Sequence, residues 1–390
     1  MDGPAVPSSM GRSRLGQFLR GVRVLDLSAF LPGPLASLLL ADMGAEVLKI
    51  EPPGGDAMRA LGPRDAAGEP VFHAAVNAGK TVRRMDLKDP AQRDELLRLV
   101  PGFDVLIEGF RPGVMARLGL GYEALRALNP GLIYCSLSGY GAAGPRALHA
   151  GHDANYLAEA GVLHRNGGAD PMFFDPPLAD VSGSLFGALA ILGALRGRDA
   201  DGHGDGQGCA IDIGLADTPM PLQLFQVAAY GAVGDMPQRR DTYLNGGAAY
   251  YQVYRTRDGR HVAVGAIEPK FWRTFCAAAG RPDWAARQDE ALPQHALIAE
   301  VAAVLNGWTL AECQARFDSP DCCTSPVLDL GEALAAAQDN GRDLVRRAPD
   351  GALQALFPAR IDGRPPECRP ALRRERAPRD AFTPITETQD

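Results

Sequence analysis

Apolar positions along the first part of the chain fall in short, nearly continuous runs separated by helical patterns. VRVLDL at 22–27 reads as a strand buried on both faces. A turn with Pro32, Gly33 and Pro34 follows, then a helix over about 34–43. Gly44 sits where that helix stops, and EVLKI at 46–50 is the next strand. The unit then recurs. TVRRMDL is a strand and DPAQRDELLRLV a helix capped by Asp89. DVLIEGF is a strand, YEALRAL a helix and GLIYCSLSGY a strand. This alternation predicts a parallel sheet covered by helices on both faces, so residues 20–150 form the heart of a doubly wound α/β domain.

After 150 the rhythm changes. Residues 153–162 have a helical pattern, and 181–196 (VSGSLFGALAILGALR) form a long apolar helix. A strand at 209–214 and a helix at 215–232 follow. A second unit starts near 246, where GAAYYQVYRTRDGRHVAVGAI predicts a β-hairpin turning at Asp258-Gly259. Helices at about 270–279, 295–306 and 309–317 complete it. The predicted organisation is an unstructured leader at 1–20, a large α/β domain at 21–232, a small α+β domain at 233–330, and a C-terminal segment at 331–390 that ends in a tail rich in Arg and Pro. The leader lacks an apolar h-region and reads as a ragged extension ahead of an alternative start at Met10, not as a secretory signal.

Composition narrows the function. A chain of 390 residues exceeds one small core and fits two domains. A net charge of −7 disfavours a general nucleic-acid binder and leaves anionic ligands to local Lys and Arg placement. The longest nearly apolar stretch, Leu185–Leu195, is too short to span a bilayer, so no membrane partner is expected. The seven cysteines are odd in number and show no C-x-x-C spacing, which predicts reduced thiols in a cytoplasmic protein. The seven histidines show no H-E-x-x-H, and there is no G-x-S-x-G elbow; no metal or redox cofactor is expected.

Several residues invite a chemical role, each beside a simpler one. Gly139, Gly141 and Gly144 match G-x-G-x-x-G, but Pro145 and Arg146 follow where a dinucleotide site needs a long helix. A tight turn at a sheet's carboxyl edge fits better. His152 precedes a predicted helix with Asp153 as its cap; it is either a structural hydrogen-bonding histidine or a base kept neutral by the helix dipole. Asp180 is either the cap of the apolar helix or a reactive carboxylate whose neighbouring amides stabilise a developing negative oxygen. Glu268, before a helix with Phe271 and Trp272, is either a first-turn acid or a partner that orients an imidazole. Lys49, Lys80, Arg111 and Arg117 follow successive strands. Alone, each is a solvated charge; together, at one sheet edge, they would converge on phosphates.

These motifs in this order resemble the class III CoA-transferase (CaiB/BaiF-type) superfamily, and within it the α-methylacyl-CoA racemases. The resemblance runs from about Gly21 to Ala333. It is carried by VRVLDLSAFLPGPLASLLLADMGAEVLKIEPPGGD, NAGKTVRRMDLKDP, DVLIEGFRPGVMARLGLG, AGHDANYLAEAGVL, GAIEPKFW and CCTSPVLDLGEAL. It implies a large domain interrupted by a smaller one, a returning C-terminal segment and an interlocked homodimer acting on an acyl-CoA. The racemase branch implies that His152 and Asp180 are the acid/base pair and that Glu268 orients His152. The transferase branch implies Asp180 as a covalent nucleophile that moves CoA between carboxylic acids. His152 within AGHD-x-NY is the feature that favours the racemase. CoA contacts are implied at Lys49, Arg59, Asn77 and Lys80, and further at Phe110, Arg111, Arg117, Gly139 and Tyr140. The segment KIEPPGGD departs from the racemase pattern, with Pro52 where an arginine meets the CoA phosphates, so Lys49 or Arg59 is expected to substitute. Phe173, Phe174, Tyr156, Phe271 and Trp272 either line an acyl pocket or belong to the core.

Overall fold

The structure is a computed structural model that describes residues 13–200, 206–234 and 238–375. In chain order it begins with β1 (Arg23–Leu27), α1 (Pro32–Asp42), β2 (Glu46–Glu51), α2 (Val71–Asn77), β3 (Thr81–Arg84) and α3 (Pro90–Leu99). It continues with β4 (Val105–Glu108), α4 (Val114–Arg117), α5 (Tyr122–Leu128), β5 (Ile133–Ser138), α6 (Asp153–Glu159) and α7 (Val162–Arg165). Next come α8 (Leu178–Arg198), β6 (Ala210–Gly214), α9 (Pro219–Leu222), α10 (Leu224–Val233), β7 (Tyr251–Arg255) and β8 (His261–Gly265). The last elements are α11 (Pro269–Ala278), α12 (His295–Leu305), α13 (Leu310–Phe317), β9 (Thr324–Pro326), α14 (Leu330–Asp339), β10 (Val345–Arg347), β11 (Leu353–Ala355) and β12 (Arg373–Arg374).

Two compact units emerge. The first holds the described parts of 1–157, 175–222 and 336–390. Its seven-stranded sheet runs β12-β3-β2-β1-β4-β5-β6, with every ladder parallel. Such a sheet must be covered on both faces, which is why β1 and β4 read as nearly continuous apolar runs, interrupted by Asp26 in β1 and by Glu108 at the end of β4. Alternate residues serve opposite faces. Leu25, Leu48 and Leu106 pack with Leu96 of α3, while Val24, Val47, Val105 and Ile107 pack with Leu40 of α1 and Ile191 and Leu195 of α8. The α/β class with a doubly wound parallel sheet is thus as the sequence predicts.

α8 spans 21 residues, longer than the apolar run alone suggests. By length and composition it is apolar enough to cross a membrane. Here it packs on α1, β5 and β6. Close packing depends on Gly183: a Cβ there would lie 2.3 Å from Leu215 Cδ2.

The start of the chain differs from the sequence expectation. Residues 1–12 of the expected leader lie outside the described residues. The rest is structured: Ser13 caps a short 3₁₀ turn at Arg14–Gln17, Leu15 and Leu19 are buried, and Leu19 N donates to Met43 O at 2.8 Å. At the other end, β12 adds an edge strand beside β3, and Arg369 grips Asp42 of α1 with two bonds of 2.6 and 2.8 Å.

The second unit comprises 158–174 and 223–335. Its antiparallel sheet β7-β8-β9 and helices α11–α13 enclose Trp272, Phe275, Trp284, Leu297, Val301 and Phe317. Trp272 Nε1 donates to Trp284 O at 3.1 Å, so the buried indole is satisfied. The boundary expected at 232 therefore lies earlier, and residues 158–174 join this unit as well. Periodicity marks elements, not the unit onto which a connection folds. α10 has no buried residue, and Phe225 and Val233 are each 73% exposed.

Candidate active site

In the first unit the strand order reverses between β1 and β4. Open α/β sheets bind ligands outside the carboxyl ends of their strands at such a point. All parallel strands end on one edge, so the loops after β1, β2, β3, β4 and β5 gather there.

Behind that edge lies a buried ionic network. Lys49 and Lys80 are both fully buried. Lys49 Nζ donates to Ser28 O at 2.7 Å and pairs with Asp56 at 3.2 Å. Lys80 Nζ meets Asp26, Ser37 Oγ, Pro34 O and Asn77 Oδ1 at 2.8–3.3 Å. Burial pushes the Asp26 carboxyl up, but Lys49, Lys80 and the Ser28 and Ser37 hydroxyls outweigh it and hold the group well below the usual carboxylate range. Both lysines and Asn77, expected as CoA contacts, are fully buried here and bonded within the chain. Their visible work is to fix the loop that enters α1. Phe30 in that loop adopts a left-handed φ of 62°, and its N–H donates to Asp56 Oδ1 at 3.3 Å.

Glu51 holds Arg59 with bonds of 2.8 and 2.9 Å and His73 Nε2 at 2.7 Å. Burial raises the Glu51 carboxyl, yet His73 and Arg59 pull it down to about 2. Glu51, Asp56 and His73 bring ligand atoms within 4.8 Å of one another. Lys49 and Arg59 already balance the two carboxylates, so the chemistry of this set does not suit a further cation.

Beside it, a cavity of about 510 Å³ opens at the end of β3, lined by Arg59, Arg83, Arg84, Met85, Gln92 and Arg374 among others. Arg83 is held by Glu375 and Glu95, and Arg374 by Glu69. Arg84 is exposed and forms no ion pair among the described residues. Sequence reasoning missed Arg84 and Arg374; the position of Arg84 at the end of TVRR was the available signal. Arg111 and Arg117, after β4, are exposed. Phe110 is half-buried against the core, and its N–H donates to Glu108 Oε2 at 2.7 Å.

The second cluster joins β5, α6 and α8. Tyr140 and Tyr156 meet edge to face at 5.4 Å, and the Tyr156 hydroxyl donates to Gly151 O at 2.6 Å. Gly139 has no room for a side chain, since a Cβ would lie 2.6 Å from the Tyr156 hydroxyl. These contacts hold the Gly151-His152 turn. His152 is exposed and is the residue from which α6 starts: its C=O accepts from Asn155 N at 2.8 Å, and its N–H donates to Asn155 Oδ1 at 3.0 Å.

Asp153 does not cap its own helix. Its Oδ1 accepts from Ala179 N at 2.6 Å and Asp180 N at 3.2 Å, in the first turn of α8. The N-cap of α8 is Pro177, which has no side-chain acceptor to offer. Asp180 is therefore a first-turn residue, not the cap. Burial pushes its carboxyl up to about 6, the Asp153 charge adds to this, and His152 opposes it. Asp153 thus takes two of the amides at the start of α8, those of Ala179 and Asp180.

Glu268 stands in the second unit, exposed, immediately before α11, and makes no side-chain capping bond. In the same unit Trp272 is core, Phe271 packs against that core, and Phe173 is 79% exposed. Tyr156 is buried in the first unit.

Comparison with known proteins decides the family. The sequence profile of CoA-transferase family III matches residues 19–376. The chain belongs to CoA-transferase family III. Human alpha-methylacyl-CoA racemase is 36% identical over 322 residues, covering 81% of this chain and 79% of the relative. Succinyl-CoA–D-citramalate CoA-transferase from Chloroflexus aurantiacus is 35% identical over 308 residues, covering 77% and 75%. A crystal structure of a CaiB/BaiF family protein from Brucella suis superposes with a TM-score of 0.78 at 28% identity, covering 89% of this chain and 93% of that one. Family III relatives thus carry two kinds of name at nearly equal identity. The overall match establishes an enzyme of family III.

Proposed function

We propose that this family III enzyme is an α-methylacyl-CoA racemase or epimerase that moves a proton at the α-carbon of a 2-methylacyl-CoA. The observation that carries this is the placement of His152 and Asp180 at two helix starts that Asp153 joins, with the Asp180 carboxyl pushed up to about 6 by burial. A thioester acidifies its α-proton. Inversion needs a base on one face and an acid on the other, and each group must change role with direction. An acid near 6 is protonated in a useful fraction of molecules at neutral pH, and its anion is a competent base. One of the pair takes the α-proton to give an enolate, and the other returns a proton to the opposite face.

The arginine-lined cavity at the end of β3 supports the phosphate-bearing end of CoA, with Arg84 as its available charge and Arg111 and Arg117 further along the edge. A homodimer belongs to the same proposal, with a second copy covering the exposed apolar residues of α10.

Incubation with 2-methylacyl-CoAs in D₂O is the test. We expect one α-deuterium per turnover by mass spectrometry, lost in His152→Ala. An enzyme that exchanges no α-proton with any branched acyl-CoA, yet transfers CoA to a free acid and still does so as His152→Ala, is a transferase using Asp180 as nucleophile.

A further inference from the structure

We propose that Asp153 is a positioning residue of the active site: one of its carboxylate oxygens clamps the start of α8 to the start of α6 and so sets both the placement and the charge balance of Asp180 and His152. The proposal rests on the proton-transfer chemistry above but is tested separately from it.

The first amides of a helix have no partner within the helix. Residues at the helix start normally supply one, but Pro177 cannot. Asp153 fills the gap from 26 residues away, accepting from Ala179 N and Asp180 N with one oxygen. Asp153 is also the residue after His152, so a single side chain ties the two acid/base positions together.

The clamp has an electrostatic consequence. A first-turn aspartate is ordinarily helped to ionise by the free amides and positive dipole end of its helix. Here Asp153 has already taken the amides and put its own negative charge at that end. Asp180 is left half-buried, repelled by Asp153 and attracted by His152. Among the described residues, Asp153 and His152 are the charges that act on Asp180, and the other elements packed on α8, which are α1, α9, β5 and β6, hold theirs elsewhere. Asp42 of α1 is held by Arg369, Asp212 of β6 accepts from Ala142 N, and Cys135 of β5 is a buried neutral thiol. On α8 itself, Arg196 and Arg198 lie in the last turn.

Two variants separate clamp from charge. Asp153→Asn keeps a carbonyl acceptor and loses the charge; Asp153→Ala loses both. The readout for Asp180 is the infrared band of its protonated carboxyl, identified by its absence in Asp180→Asn and followed through a pH titration. In Asp153→Asn we expect the Asp180 midpoint to fall by about one pH unit, as removal of a close like charge does. The Asp180-governed flank of the exchange–pH profile moves with it. In Asp153→Ala we expect kcat for exchange to fall by about tenfold or more with KM little changed, the mark of lost positioning. An Asp180 midpoint unmoved in Asp153→Asn overturns the proposal, as does full kcat in Asp153→Ala. If the wild type exchanges no α-proton, the racemase chemistry fails, while the infrared titration still decides the role of Asp153.

Discussion

Asp180→Asn is expected to stabilise the fold while abolishing activity. The carboxyl titrates at about 6 in the fold against a reference of 3.8, raised first by burial and then by Asp153. A difference of one pH unit between these two midpoints corresponds to about 1.4 kcal/mol, so holding the anion at neutral pH costs roughly 3 kcal/mol as an upper limit. The side chain keeps part of its surface in water, which reduces the expected gain to about 1–2 kcal/mol. The sign follows from proton counting. Between about pH 4 and 6 the folded protein holds a proton that the unfolded chain has released, so the wild type loses stability as pH rises through that window. The neutral amide has no such dependence. The variant's advantage should be full above about pH 7 and vanish near pH 4. Urea unfolding at fixed protein concentration, followed by circular dichroism across pH 4–8, measures it. A variant less stable than wild type at pH 7, or a difference that does not change with pH, would refute the reasoning.

Two further outcomes follow from the ionic network and the cavity. Lys80→Ala strips Asp26 of a buried partner and should destabilise by about 3–5 kcal/mol in urea; a normal unfolding midpoint with a raised KM for acyl-CoA would instead mark Lys80 as a phosphate ligand. Arg84→Ala should raise KM for acyl-CoA about 5- to 30-fold with kcat and unfolding unchanged, an effect that shrinks with added salt; an unaltered KM removes Arg84 from the CoA site.

Much of the fold was legible because its signals are local. The apolar runs of β1, β2, β4 and β5 and the stops after α1 and α5 follow from burial on both faces and from turn residues next in sequence. The hairpin of β7 and β8 turns at Asp258-Gly259 as predicted, with Gly259 at a φ of 79°. What escaped depends on distant partners. β12 is only two residues long, and its place beside β3 comes from the return of the chain. Lys49 and Lys80 read as surface charges because the carboxylates that make their burial tolerable are set by the fold: Asp56 comes from the loop after β2, and Asp26 from β1, 54 residues before Lys80. Asp153 was legible as a helix-start residue, but the helix it caps begins at Leu178. His152 and Asp180 were recognisable only through the company of their motifs; the contact between their helices is a property of the fold.

Racemase and transferase chemistry place different demands on one aspartate. A nucleophilic carboxylate must be ionised when it attacks, and amides at a helix start would help it to be so. A reversible proton carrier must instead hold and release its proton at working pH, and needs a second carrier of matching strength across the substrate. In this chain the amides of Ala179 and Asp180 are occupied by Asp153, the Asp180 carboxyl is pushed up to about 6, and the residue preceding Asp153 is a histidine, a side chain that can both take and give a proton. On the proposed reading the local electrostatics suit proton transfer, and they do so through a side chain, Asp153, that need not touch the substrate.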